Sequence, residues 1–127
     1  MGKRLVDTDI IVDYLRGVER AKILIEESIS DSEICISVIS KMELLAGCRN
    51  KGEIKIVEDM FARFITIYLD EISAKIAYSL FKRFRLSHGI GIFDSLIAAT
   101  AIHHELPLLT KNIKHFSMIQ RLTILKP

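Results

Sequence analysis

At 127 residues, half of them hydrophobic and only two of them proline, the chain can bury roughly two thirds of the surface it exposes when unfolded. That excludes a disordered or low-complexity polymer, and apolar runs well short of the roughly 20 residues needed to cross a bilayer exclude a membrane-spanning role. A formal net charge of +2 is too small to argue for a nucleic-acid partner by itself.

The N-terminus Met1-Gly2-Lys3-Arg4 is basic, but Asp7, Asp9 and Asp13 interrupt the apolar residues after it, so no signal peptide is expected. Residues 4–6 read as a short strand ending at Asp7, with helical patterns over 9–15 and 19–30 behind it. The apolar run 34–37 reads as a strand, followed by helices over 39–46 and 51–63, a strand over 64–68 and a long helix over 72–86. Residues 93–104 form a nearly all-apolar helix, and strands at 108–110 and 122–125 flank a short turn at 113–116. Gly17, Gly47 and Gly52 fall where helices should stop, and Pro107 opens a strand, where a missing N–H does least harm. Strands separated by helices imply βαβ units and a buried parallel sheet, here in one cytoplasmic domain over residues 1–127. In such sheets ligands gather outside the carboxyl ends of the strands. Asp7 stands at one such end, and Thr110, Lys111 and Asn112 stand at another.

Asp7, Glu43 and Asp94 are acids set where apolar segments meet helices, and burying them is costly unless something positive compensates. Asp94 shares a helix face with Ile97, Ala98 and Ala101; taken alone it reads as a first-turn acid favoured by the helix dipole. Glu43 shares its face with Ile39, Ser40, Ala46 and Gly47; taken alone it reads as a surface acid. Thr8 or Asp9 is placed to cap the first helix, and Asp13 is expected toward solvent, beside Arg16. Together the three acids suit a divalent cation held by oxygen ligands from several elements, which makes the chain a candidate metal-dependent nuclease.

Other groups read more plainly. Cys35 suits buried packing, and a disulfide with Cys48 is not expected. His103 and His104 should diverge by roughly 100° on a helix, too far to hold one ion. The clusters Lys82, Arg83, Arg85, His88 and Lys111, Lys114, His115, Arg121 read first as solvated faces.

Leu5-Val6-Asp7-Thr8-Asp9-Ile10 with Tyr14-Leu15-Arg16-Gly17 resembles the first motif of the PIN-domain ribonucleases. Ser37-Val38-Ile39-Ser40-Lys41-Met42-Glu43-Leu44 resembles their second, and Phe93-Asp94-Ser95-Leu96-Ile97-Ala98-Ala99-Thr100-Ala101 their third. Leu109-Thr110-Lys111-Asn112 with Lys114-His115-Phe116 is similar to the fourth. Each motif is weak alone; the four in order are specific, and their layout most resembles the VapC-type toxins of toxin–antitoxin pairs. The resemblance implies a three-layer α/β/α fold with a central parallel sheet of four to five strands, and endonucleolytic cleavage of RNA. It also implies Mg²⁺ or Mn²⁺ held by Asp7, Glu43 and Asp94, with Thr110 supporting them. Thr110 and Asn112 would then position water or phosphate, and Lys111 and Lys114 would meet the RNA backbone. A cognate antitoxin would be the protein partner, and the faces over 23–29 and 76–86 offer surfaces for a homodimer.

One departure stands out: the fourth motif often carries an acid where this chain has Asn112, whose amide brings no charge. That leaves a PIN-like domain that binds RNA without cutting it as an alternative. A phospho-accepting receiver domain, with Asp70 as acceptor, is a second.

Overall fold

The computed structural model describes residues 2–28 and 33–127. The strands are β1 (Arg4–Val6), β2 (Ile34–Ser37), β3 (Ile65–Ile67), β4 (Leu108–Leu109) and β5 (Ile124–Leu125). They form one sheet in the order β3-β2-β1-β4-β5, parallel at every pairing. Helices α1 (Thr8–Leu15), α2 (Glu19–Ile23), α3 (Val38–Ala46), α4 (Lys51–Phe61), α5 (Glu71–His88) and α6 (Ile92–His103) connect them. All five expected strands are present, each within a residue or two of its expected bounds.

The two-residue period of the strands divides the core into two layers. Val6, Ile34, Ile36 and Leu109 pack on one side with Ile10, Ile11, Val57 and Phe61 from α1 and α4. Leu5, Cys35 and Leu108 point to the other side and meet Ile97, Ala98 and Ala101 of α6 together with Phe116. This is the expected three-layer α/β/α arrangement. The strands read as unbroken apolar runs because both faces are covered.

The run of small residues in α6 follows from its position in the core. Ser95 and Thr100 are buried, and each hydroxyl donates to a carbonyl four residues back, Gly91 O at 2.9 Å and Leu96 O at 2.8 Å. Helix α5 is capped by Asp70, whose Oδ1 accepts from Ser73 N at 2.7 Å, and it ends at Gly89 in the left-handed region with φ 69°. Asp70 therefore sits at a helix start, three residues beyond β3, and not at the tip of a central strand as a receiver acceptor would require.

Several local expectations change. The helix expected over 19–30 is α2 followed by a π-turn at Leu24–Ser28, and its last two residues, 29 and 30, lie outside the described residues. On the face over 23–29, Ile25 is fully buried in the core and Ile23 is exposed, so it is not a uniform interface surface; Ile29 lies outside the described residues. Gly17 follows α1 with φ 76° and Gly47 ends α3, as expected, but Gly52 lies in the first turn of α4 behind the cap Asn50. Cys35 and Cys48 are both free thiols.

Candidate active site

The strand order reverses direction of growth at β1: β2 and β3 extend one flank, β4 and β5 the other. A crevice opens at such a switch point, outside the carboxyl ends of the two central strands. Asp7 follows β1 directly and Thr110 follows β4 directly, so the sheet register alone brings them together. Thr110 Oγ1 donates to Asp7 Oδ2 at 2.8 Å, and both residues are buried.

Asp7, not Thr8 or Asp9, is the N-cap of α1, with Oδ1 accepting from Thr8 N at 2.8 Å. Burial pushes the Asp7 carboxyl up to about 7, and the charges of Asp9 and Asp94 add to this, while the Thr110 and Thr8 hydrogen bonds oppose it. Asp9 belongs to the same site. Its Oδ2 accepts from Lys111 N at 3.0 Å and lies 3.3 Å from Thr110 Oγ1, while its Oδ1 is buried with no hydrogen-bond partner. Asn112 N donates to Thr110 Oγ1 at 3.0 Å, which folds the turn after β4 back over the threonine and leaves the Asn112 side chain on the rim.

Glu43 reaches the crevice from α3. Its Oε1 accepts from Thr8 Oγ1 at 2.7 Å, and Thr8 Oγ1 also lies 2.8 Å from Ser40 Oγ. Ser40 is one turn before Glu43 on the same face, and its own N–H is held by the cap residue Ser37 at 3.0 Å. Asp94 enters from the first turn of α6, half-buried, with His115 Nδ1 3.3 Å from its Oδ2. Burial raises the Asp94 carboxyl above its ordinary value, and His115 opposes that rise. Asp13 does not point to solvent beside Arg16 but forms an ion pair with Lys111.

These side chains line an open cleft of about 460 Å³ in which Asp7, Asp9, Asp13, Glu43 and Asp94 face Arg16, Lys111 and His115. Thr110 lies beneath its floor and Asn112 at its edge. The basic cluster of Lys82, Arg83, Arg85 and His88 behaves as a surface: Arg85 donates to the carbonyls of Gly89 and Ile90, and Arg83 stacks on Phe84. Residues 4–121 match the family described as PIN domain.

The chain belongs to the PIN-domain family. Among PIN-domain relatives it is 43% identical over 117 residues to Ribonuclease VapC19 of Mycobacterium tuberculosis, covering 91% of this chain and 93% of that protein. It is 39% identical over 119 residues to Ribonuclease VapC10 of the same species, covering 93% and 89%. Among solved structures it resembles VapBC2 from Rickettsia felis bound to a promoter DNA fragment, with TM-score 0.82, 25% identity and 98% of each chain covered.

This PIN fold brings Asp7, Glu43, Asp94, Thr110 and Asn112 to one cleft. Thr8, Asp9 and His115, which lie inside the four motifs but carry no site role there, line the same cleft, with Ser40 behind Thr8. The spacing of Ser37, Ser40 and Glu43, three residues apart each time, is the available signal for a polar stripe on α3. Asp9 and His115 lie within the motifs, but their partners, Lys111 and Asp94, are far along the chain and leave no local signal of the contact.

Proposed function

We propose that this chain, as a single domain over residues 1–127, is a metal-dependent endoribonuclease and the toxin of a toxin–antitoxin pair. Relatives named Ribonuclease VapC, matching nearly end to end, support RNA as substrate. A structural neighbour described as a toxin–antitoxin complex from Klebsiella pneumoniae, 27% identical with TM-score 0.78 over 95% of this chain and 96% of that one, supports an antitoxin as partner. The observation that carries the reading is the convergence of Asp7, Asp9, Glu43 and Asp94 in one cleft, with the Asp7 carboxyl held up to about 7.

That donor set fits a hard divalent cation, since it offers carboxylate oxygens and includes a buried Asp9 oxygen with no partner. Asp7, Glu43 and Asp94 are assigned as its ligands, with Mg²⁺ or Mn²⁺ as the ion. When bound, the ion supplies compensation for the clustered negative charge and Lewis-acid stabilisation of the phosphate as it is attacked. Thr110 holds Asp7 in place by its short hydrogen bond, and Asn112 faces the cleft edge where a water or phosphate oxygen would be oriented. Glu43, with one oxygen fixed by Thr8, would offer its other oxygen to the ion. Lys111 and Arg16 on the cleft wall are suited to phosphate oxygens, contacts that add affinity without sequence information. No helix among the described residues is long and apolar enough to cross a membrane; we assign the chain to the cytoplasm, where its RNA substrate lies, and to a homodimer.

The test is cleavage of structured RNA by the purified chain with Mg²⁺ or Mn²⁺, with and without EDTA, beside an Asp94→Asn variant. Cleavage should need the ion and should fall by at least about 100-fold in the variant. Unchanged cleavage in Asp94→Asn would remove Asp94 from the site. RNA retention without cleavage in any ion would favour the non-cutting alternative that Asn112 suggests.

A further inference from the structure

A second group of ligating side chains lies away from the cleft. His103 ends α6 and His104 follows it as the helix's C-terminal cap, with φ −88° and ψ 4°. Helical spacing separates successive positions by about 100°, yet both side chains turn toward Asp70 and the two imidazoles meet edge to face with centroids 4.8 Å apart. Both Nε2 atoms lie 3.4 Å from the same oxygen, Asp70 Oδ2. One ligand atom from each of the three residues falls within 4.8 Å of the others.

Three features make this more than a chance surface contact. Asp70 divides its carboxylate: Oδ1 caps α5 by accepting from Ser73 N, and Oδ2 is left for the histidines. The turn after His104 is closed on both sides, by Leu106 N donating to Ala101 O at 2.9 Å and Glu105 N to Ile102 O at 3.2 Å, so the histidine backbone is fixed before any ligand arrives. The spacing also suits a small ion: two ligands each roughly 2.0–2.1 Å from a tetrahedral zinc stand about 3.3–3.4 Å apart. The three side chains are 29%, 33% and 43% exposed, open enough to admit an ion and to let water complete its coordination.

We propose that Asp70, His103 and His104 form a metal site for zinc or a similar imidazole-preferring divalent ion, which cross-links the start of α5 to the end of α6. Its donor chemistry differs from that of the acidic cleft. Two imidazoles and one carboxylate suit zinc, nickel or cobalt and disfavour Mg²⁺, which prefers oxygen ligands and keeps its waters. The nine residues from Asp94 to His103 span roughly 14 Å along α6, so an ion here does not touch the cleft. Its effect is therefore on the α5–α6 pair, whose ends it joins, and the inference does not depend on the nuclease reading.

The experiment uses the full chain, stripped of metal and then held in excess Mg²⁺ to occupy the cleft. Zn²⁺ is added and followed by calorimetry and by thermal melting, with the visible absorption of Co²⁺ as an independent probe of nitrogen ligands. Zn²⁺ should bind one equivalent, raise the Tm, and lose affinity by at least about tenfold in His103→Ala and in His104→Ala. Asp70→Asn should weaken binding too while keeping α5 capped, since Asn is an equally good cap. Asp94→Asn should bind Zn²⁺ like the parent. If both histidine variants retain full affinity, or Asp94→Asn is the variant that loses it, the site is wrong. If Zn²⁺ leaves the Tm and the Co²⁺ spectrum unchanged, the three residues are an ion pair only and the proposal fails.

Discussion

Thr8 Oγ1 stands 2.7 Å from Glu43 Oε1, so the first residue of α1 and the second turn of α3 are tied together across the cleft. The Thr8 hydroxyl also lies 2.8 Å from Ser40 Oγ, so it stands between the carboxylate and the serine of the same helix. The Thr8 hydroxyl thus fixes one Glu43 oxygen, Oε1, on the cleft wall.

Thr8→Val keeps the branched shape and removes the proton that holds Glu43. RNA cleavage should fall about 10–100-fold, the range seen when partners of ligating groups are lost, with about 1–2 kcal/mol of stability. Thr8→Ser should restore most of the activity. Single-turnover cleavage beside a urea melt separates the two effects; equal activity in Thr8→Val would show that Glu43 needs no such support.

Asp7 makes the ion-free protein sensitive to pH. Its carboxyl is raised from 3.8 to about 7, chiefly by burial. Below about pH 4 both folded and unfolded states hold the proton and the folded state keeps its full stability; from there to about 7 only the folded state does. Stability is therefore lost as pH rises through that window and levels off above it, by a few kcal/mol at about 1.4 kcal/mol per unit. Asp7→Asn cannot ionise, so the stability difference between variant and parent should grow in the variant's favour from pH 4.5 to 7.5. Urea melts in EDTA measure this directly, and a flat difference would show that Asp7 is not the group responsible. Added Mg²⁺ should narrow the gap by stabilising only the parent.

The range of each contact decides how much of the fold and the site is legible in the sequence. The strand and helix order, and the placement of Asp7 and Thr110 at strand ends, follow from periodicity, and the register of β1 with β4 does the rest. Motif resemblance is enough to place Glu43 and Asp94. Pairings between residues about a hundred positions apart, such as Asp9 with the Lys111 amide, leave no local pattern to read. Asp13 is hidden for the same reason: its partner is Lys111, not the nearby Arg16. His103 and His104 differ, because helical spacing fixes where side chains leave the backbone and not where their ring nitrogens end. Strand alternation puts Leu5 and Val6 on opposite layers, but the unbroken apolar runs do not show which helices cover each one.

Asn112 offers a gain-of-charge test. Its side chain lies at the cleft edge, and its amide makes no charged contribution. Asn112→Asp adds a carboxylate to an already acidic cleft, so Mn²⁺ should bind about tenfold more tightly, since ligand charge tunes affinity. Without the ion the same change should lower stability, because one more negative charge is left uncompensated. Calorimetry with Mn²⁺ and a melt in EDTA should therefore move in opposite directions. Weaker Mn²⁺ binding in the variant would place Asn112 outside the reach of the ion.

Glu105 is a place where the fold accepts strain. It is the one non-glycine residue with positive φ among the described residues, at 55°, in the turn that ends α6. A side chain in the left-handed region costs roughly 1–2 kcal/mol, and glycine avoids that at the expense of greater freedom when unfolded. The hydrogen bonds of Leu106 to Ala101 and of Glu105 to Ile102 use only backbone atoms, so they survive the loss of the side chain. Glu105→Gly should therefore raise stability by about 0.5–1 kcal/mol in a urea melt, with RNA cleavage unaltered because the turn lies at the far end of α6 from Asp94. A loss of stability would mean that the Glu105 side chain makes contacts worth more than the strain of its backbone.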